Sequence, residues 1–314
     1  MDVTFVIVNW NNADLLRNCL ASIYETVSNY TFSVVVVDNA SSDNSISIVK
    51  SFFPSVKIIS NNSNLGFARA VNKGIGCANG RYVVLLNTDA ILTKNAIDRL
   101  ISFMDKNTDT AVCGGRLIYP DGRKQHSFDN FPSLITELTN KSLLRKMFPQ
   151  KYPGKYRDYS EPLEVDSIIG ACFVIRKECM DRVGMLDEDF YFFLEETDLC
   201  FRMKLAGYRI VHVPSAEIVH LQGKSAAKVP VASRVEYYYS RYLFFKKNRS
   251  ALSYFILMLV IFIRCMVKVM VYFLFAVATG FRNEAVMHKW KLASTLVLSH
   301  LLRFPPSMRM EGNA

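Results

Sequence analysis

Glycine and proline are scarce, 14 and 10 in a chain of 314 residues, which excludes a collagen-like repeat. With half of the residues hydrophobic, a chain too polar to bury a core is excluded as well. The seven cysteines, at 19, 77, 113, 172, 179, 200 and 265, are far apart, and no pair has the spacing of a metal knuckle or a redox motif. An odd set of thiols inside apolar runs reads as buried and reduced, so the functional surface is expected to face the cytoplasm. No basic segment precedes the first apolar run, residues 3–8, and that run is too short for the core of a secretion signal. Gly-x-Gly-x-x-Gly and Gly-Lys-Ser/Thr are both missing, which argues against a dinucleotide fingerprint and a P-loop.

Charge is unevenly placed. Residues 234–314 hold 12 Lys/Arg against 3 Asp/Glu and so carry nine of the ten net positive charges. A polyanionic partner, anionic lipid or nucleic acid, therefore concerns the tail. Lipid is favoured, because the cations there alternate with long aliphatic runs rather than with exposed polar surface.

The first 120 residues alternate short β-branched runs with amphipathic stretches, the pattern of a parallel α/β sheet. Strands are expected at 3–8, 32–37, 56–60 and 82–86, with helices at about 13–27, after the capping residues Ser42 and Asp43, and at about 66–78. A polar loop follows each strand on its carboxyl side, the edge where open α/β sheets bind ligands. Residues 117–161 are poorer in pattern, with one helix expected near 133–148. Residues 165–175 read as extended around Gly170, 195–205 as a helix, and 209–213 and 217–221 as two short strands.

Five elements carry chemistry. Asp38 ends a buried strand, where a carboxylate either accepts the imide N–H of uracil or thymine or merely starts an Asx turn. Asn87-Thr88-Asp89 follows the fourth strand, and a carboxylate there can hold a hard divalent cation against a diphosphate. Glu195, Glu196 and Asp198 crowd three carboxylates behind an aromatic run, which favours a raised pKa in one of them, although a helix N-terminus also attracts acids. His220 ends a strand and can offer nitrogen to the cation. Gly66 starts a helix where backbone N–H groups can approach a phosphate or ribose.

Taken in order, Val6-Ile7-Val8-Asn9-Trp10-Asn11, Val37-Asp38-Asn39-Ala40-Ser41, Asn64-Leu65-Gly66-Phe67-Ala68 with Asn72, Leu86-Asn87-Thr88-Asp89, Gly170-Ala171, the 195–199 stretch and His220-Leu221-Gln222-Gly223-Lys224-Ser225 resemble the inverting family 2 glycosyltransferases, especially their rhamnosyltransferase-like branch. The resemblance covers residues 3–242. It implies the GT-A fold, a mixed α/β sheet flanked by helices, with a nucleotide-sugar donor held by Val8, Asn9, Asp38, Asn64, Gly66, Asn72, Asn87 and Asp89. It further implies Mg or Mn at Asp89 with His220 as a further ligand, and Glu196 as catalytic base, with Glu195 and Asp198 as the neighbouring candidates. Asn87 stands where many relatives carry the first Asp of an Asp-x-Asp motif. The implied acceptor is a glycan or a sugar on a polyprenyl diphosphate. Two other readings remain: a sugar nucleotidyltransferase, disfavoured by the absence of a glycine-rich basic loop after the first strand, and a degenerate membrane-bound scaffold.

The domain expectation is a catalytic region at 1–229, its donor half at about 1–115 and its acceptor half at about 116–229, followed by a basic, apolar helical region at 230–314. Within the tail, residues 250–263 and 269–281 are uncharged runs separated by Arg264 and Lys268. Each run is shorter than the roughly 20 residues of a straight span. An embedded or re-entrant anchor on the cytoplasmic face, through residues 250–304, is the expectation. A buried helical subdomain or an oligomer interface is the alternative.

Overall fold

The computed structural model describes residues 1–154, 157–221 and 229–312. Strand β1 (Val3–Asn9), helix α1 (Ala13–Thr26), β2 (Phe32–Asp38), α2 (Ser45–Phe52), β3 (Lys57–Ser60), α3 (Phe67–Ile75) and β4 (Tyr82–Leu86) alternate as the hydrophobic periods require. Next come β5 (Ala90–Leu92), α4 (Ala96–Lys106), β6 (Thr110–Ile118), β7 (Phe128–Asp129), α5 (Leu134–Leu138), α6 (Lys141–Met147), β8 (Leu163–Glu164) and β9 (Ser167–Ile168). The order continues with β10 (Cys172–Arg176), α7 (Lys177–Val183), α8 (Glu195–Leu205), β11 (Arg209–His220), α9 (Pro230–Asn248), α10 (Ala251–Ala278) and α11 (Glu284–Leu301). Two compact units result, Met1–Phe131 with Leu144–Lys224, and Pro132–Leu143 with Ser225–Ala314.

In the first unit the main sheet runs β3-β2-β1-β4-β10-β6-β11-β5, with β8 on the side of β11. The first four strands are parallel. β10 then enters antiparallel between β4 and β6, and the sheet is mixed. Both faces of β1 are covered: Phe5 and Ile7 pack with Leu16, Leu20 and Ile23 of α1, while Val6 packs with Ala68, Val71 and Ile75 of α3. Each such buried side chain contributes roughly 1.5–3 kcal/mol. Because the strands are covered on both faces, their polar atoms reach the surface only at the strand ends, and that concentrates function on the carboxyl edge.

Three sequence expectations change. The helix expected at 133–148 is two, α5 and α6: Thr139 is extended, and the Asn140 side chain accepts the Ser142 N–H at 2.8 Å, restarting the helix. The two strands expected at 209–213 and 217–221 are one, β11, whose pairing with β6 slips between Val213 and Glu217. Pro214 lies in that gap and has no N–H to give the ladder, so the signal that read as a chain break is a bulge. The two apolar runs of the tail are one helix of 28 residues, α10, running straight through Arg264 and Lys268.

In the second unit α10 packs on α9, α11 and α5. Its buried positions are Leu257, Ile261, Cys265 and Ala276. Arg264 donates to the carbonyls of Glu137 and Leu138 at 3.2 and 3.1 Å, which satisfies the C-terminal carbonyls of α5. Arg241 pairs with the Glu137 carboxylate. Tyr242 and His300 join α9 to α11 through a hydrogen bond of 2.7 Å.

Candidate active site at the carboxyl edge

β11 ends beside the loop after β4, with His220 paired to Ala90 and the Leu221 N–H bonded to the Asp89 carbonyl at 2.9 Å. That ladder brings His220 Nε2 to 3.4 Å from Asp89 Oδ1, both residues being buried. Gln125 fixes the imidazole. Its amide nitrogen donates to the His220 carbonyl, so its Oε1, 2.9 Å from His220 Nδ1, requires a proton on Nδ1. In the neutral ring Nε2 then presents a lone pair to a carboxylate oxygen, and two acceptors face each other. A cation between them resolves that opposition, and one nitrogen with one hard oxygen is a donor set suited to a divalent metal. Among the described residues there is no group of three or more His, Cys, Asp or Glu that could hold a metal ion.

Glu196 approaches the same edge from α8. The Asn87 N–H bonds the Ala171 carbonyl at 3.0 Å. At the preceding Gly170, a Cβ would lie 3.7 Å from the Glu196 carboxyl carbon. The Glu196 carboxyl therefore lies against Gly170, one residue from the Ala171 carbonyl that holds the Asn87-Thr88-Asp89 loop. Burial pushes its pKa up from 4.5 to about 7, against the opposing pull of the Glu196 and Thr197 N–H groups at the helix start. Its neighbours differ. Asp198 is 2% exposed and accepts from Arg202 Nε at 2.8 Å, while Arg202 also donates to the Val183 and Met185 carbonyls. Asp198 therefore fastens α8 to the loop before it. Glu195 is buried at the start of α8. Phe193 and Leu194 both have positive φ, 72° and 66°, so the turn delivering these acids is held in a costly conformation.

The opposite side of the edge is held largely by its own hydrogen bonds, although the buried Asn9 Oδ1 has no partner among the described residues. Asn9, fully buried, donates to Asp38 Oδ1 at 2.9 Å and to Ser41 Oγ at 3.0 Å. Asp38 Oδ2 accepts the Ser41 N–H at 2.9 Å, the Asx turn that was one of its two readings. Val8 is half-buried and packs on the clusters of the α3 face of the sheet. Asn64 Oδ1 accepts from Asn39 Nδ2 and from the Gly66 N–H at 3.1 and 3.0 Å. Asn72 does not line an open hollow. Its amide brackets Leu186, accepting the backbone N–H at 3.1 Å and donating to the carbonyl at 2.8 Å. Gly66 likewise meets protein where a phosphate was expected: a Cβ there would fall 2.6 Å from the Tyr191 carbonyl oxygen and 2.7 Å from its ring, at φ +81°. Only glycine fits.

Sequence reasoning expected Asp89, His220 and Glu196 to converge; the structure pairs Asp89 with His220 and sets Glu196 against Gly170, and the parts of Gln125, Tyr191 and Arg202 were not foreseen. Gln125 lies 95 residues from His220 in a stretch without periodic signal. Arg202 was legible in principle, since it follows Asp198 by one helical turn. Residues 222–225 of the motif that follows His220 lie outside the described residues.

Residues 4–184 match the profile of Glycosyl transferase family 2. The N-acetylglucosaminyl-diphospho-decaprenol L-rhamnosyltransferase of Mycobacterium tuberculosis is 27% identical over 260 residues, 78% of this chain and 84% of that one. The dTDP-rhamnosyl transferase RfbF of Shigella flexneri is 26% identical over 258 residues, 77% of this chain and 79% of that one. Among solved structures, the mannosyltransferase PcManGT from Pyrobaculum calidifontis, in complex with GDP-Man and Mn2+, superposes with a TM-score of 0.57 at 15% identity, over 96% of this chain and 86% of that one. That likeness identifies the fold as GT-A. With more than half of its length matching the family profile, the chain belongs to glycosyl transferase family 2 and is a glycosyltransferase.

Proposed function

We propose that this glycosyltransferase moves a sugar from a nucleoside-diphosphate donor, dTDP-rhamnose or a UDP-sugar, to a hydroxyl of a lipid-linked or cell-surface glycan, such as an O-antigen precursor. The rhamnosyltransferase names of two relatives support the donor, and the decaprenol-linked substrate named for the mycobacterial relative supports the acceptor. The observation that carries the reading is the half-buried, desolvated Glu196 carboxyl, set against Gly170, whose neighbour Ala171 bonds the Asn87 N–H of the Asn87-Thr88-Asp89 loop.

Glu196 is the general base: its carboxylate takes the proton of the acceptor hydroxyl as that oxygen attacks the anomeric carbon, and a single displacement inverts the configuration there. A pKa near 7 suits this role, since the group is both available and basic at neutral pH. Asp89 and His220 are the residues that would hold Mg or Mn, which when bound supplies positive charge to the departing diphosphate. Gln125 keeps the His220 lone pair directed at Asp89. Asn87, Asn64, Gly66 and Tyr191 shape the donor side, with Asp38 and Asn9 holding the loop beneath the base. The apolar helices at 250–304 bring the enzyme to the cytoplasmic face of a membrane, where a polyprenyl diphosphate acceptor resides. Glu196→Gln should retain donor binding and lose transfer by about 10²- to 10⁴-fold. Nucleoside diphosphate release at near wild-type rate from that variant would overturn the assignment.

A further inference from the structure

Helix α10 is long and apolar enough to cross a bilayer, yet its neighbours contradict a crossing. Its 28 residues span about 42 Å, and Arg264, the fourteenth, stands at the middle. If the helix crossed, Arg264 would lie near the bilayer midplane together with everything it holds. It holds the C-terminal carbonyls of α5, and beside them is the Glu137–Arg241 ion pair. After α5 the chain is extended at Thr139 and runs into the exposed Asn140. Non-helical polar backbone of this kind does not face lipid at that depth.

The exposed side of α10 points to another arrangement. Leu252, Phe255, Leu259, Met266, Met270 and Phe273 are all exposed, and their steps of three, four and seven residues place them on one face, away from Leu257, Ile261 and Cys265; Ile263, Val267 and Leu274 widen that face, and Val271 and Phe275 extend exposed apolar surface toward Arg264 and Lys268. Arg264 and Lys268 lie outside that row, toward the packed side. Lys246 and Lys247 close α9 just before α10, and Arg282, Lys289 and Lys291 follow it. An apolar row flanked along its length and at both ends by cations matches a single leaflet of anionic lipid, with acyl chains under the row and headgroups at the cations.

We infer that α10 lies in the plane of the membrane, sunk into one leaflet by its Leu252–Phe255–Leu259–Met266–Met270–Phe273 row, and does not span. This rests on the membrane association within the proposed function and specifies its geometry.

The test uses the full chain bound to sealed vesicles of phosphatidylcholine with and without phosphatidylglycerol. Ala251→Cys and Glu284→Cys, placed singly in a Cys77→Ser background, put a thiol at each end of α10; the other six native cysteines are buried. A membrane-impermeant maleimide added outside should label both positions fully. Protection of either one until detergent is added would establish a crossing and overturn the inference. Phosphatidylglycerol should raise the bound fraction by about tenfold or more. Met270→Glu with Leu259→Glu should release the chain from vesicles while leaving its thermal transition unchanged, because both side chains are exposed. Equal binding by that double variant, or no binding by the parent chain, would also overturn the inference. Donor binding, measured on the same preparations, reports on the transferase reading independently of how the helix lies.

Discussion

The two sides of the carboxyl edge use similar residue types to opposite ends. On the side of β1 and β2, the Asn and Asp side chains bond mainly to each other and to backbone: Asn9 Nδ2 to Asp38, Asn39 to Asn64, Asn72 to Leu186, with the buried Asn9 Oδ1 the exception that has no partner among the described residues. On the side of β4, α8 and β11, Asp89 lies 3.4 Å from His220 Nε2, and desolvation disfavours the ionised form of Glu196. A polar group whose bonding is complete is a strut, whereas one left facing a like group, or held in the wrong protonation state, is poised for a ligand. The difference separates scaffold from chemistry more sharply than residue identity does.

Four experiments can break or sharpen that contrast. The largest effect belongs to Glu196. Because its folded pKa is raised from 4.5 to about 7, the carboxylate is about half formed at neutral pH and predominates above it, and turnover should climb as pH rises through about 7. The same shift means that the folded chain binds this proton more tightly than the unfolded chain does. Its contribution to stability is present below about 4.5 and is lost as pH rises toward 7. Glu196→Gln should remove both dependences, visible in a rate profile and in melting temperatures across pH 4 to 8; an unchanged melting profile would place the carboxyl in water.

Next in size, Asp89→Ala should weaken donor binding about ten- to a hundredfold in Mn but leave it unchanged in EDTA. Calorimetry that finds equal affinity in both buffers would return Asp89 to the scaffold. Asn72→Ala leaves the N–H and carbonyl of Leu186 without their partner, costing about 2 kcal/mol by urea unfolding. It should lower kcat through the misplaced 186–194 loop while the donor KM holds; a rise in KM alone would make Asn72 a binding residue after all. The smallest effect is expected from Asp38→Asn, about 1 kcal/mol of stability with no change in the ratio of uridine to thymidine donor use. A changed ratio would move Asp38 from strut to reader of the base.

Much of the fold was legible because periodicity and burial agree in the first 120 residues. The run at 32–37 is apolar at nearly every position because β2 is covered on both faces, and Pro54 follows α2 as a stop signal should. Legibility failed where local and long-range forces compete. Residues 133–148 have helical composition throughout, but Asn140 restarts the helix locally, and Arg264, 127 residues away from Glu137, caps what precedes it. In the site, Asp89 and His220 were legible because Asp89 lies in the turn after β4 and His220 ends β11, and those strand ends meet at one edge. The seat of Tyr191 on Gly66 was hidden, since the sequence shows that a glycine is needed without showing what fills the space before it.

The bond from the Leu221 N–H to the Asp89 carbonyl is the final rung of the ladder between β11 and the β4–β5 turn. The proposed ion-binding pair is thus also the clasp at one margin of the sheet. Occupying it should tighten that margin, and the amides of residues 89–92 and 221 should trade their hydrogens for deuterium more slowly as the pair is loaded, linking the enzyme's readiness for substrate to the rigidity of a single strand end.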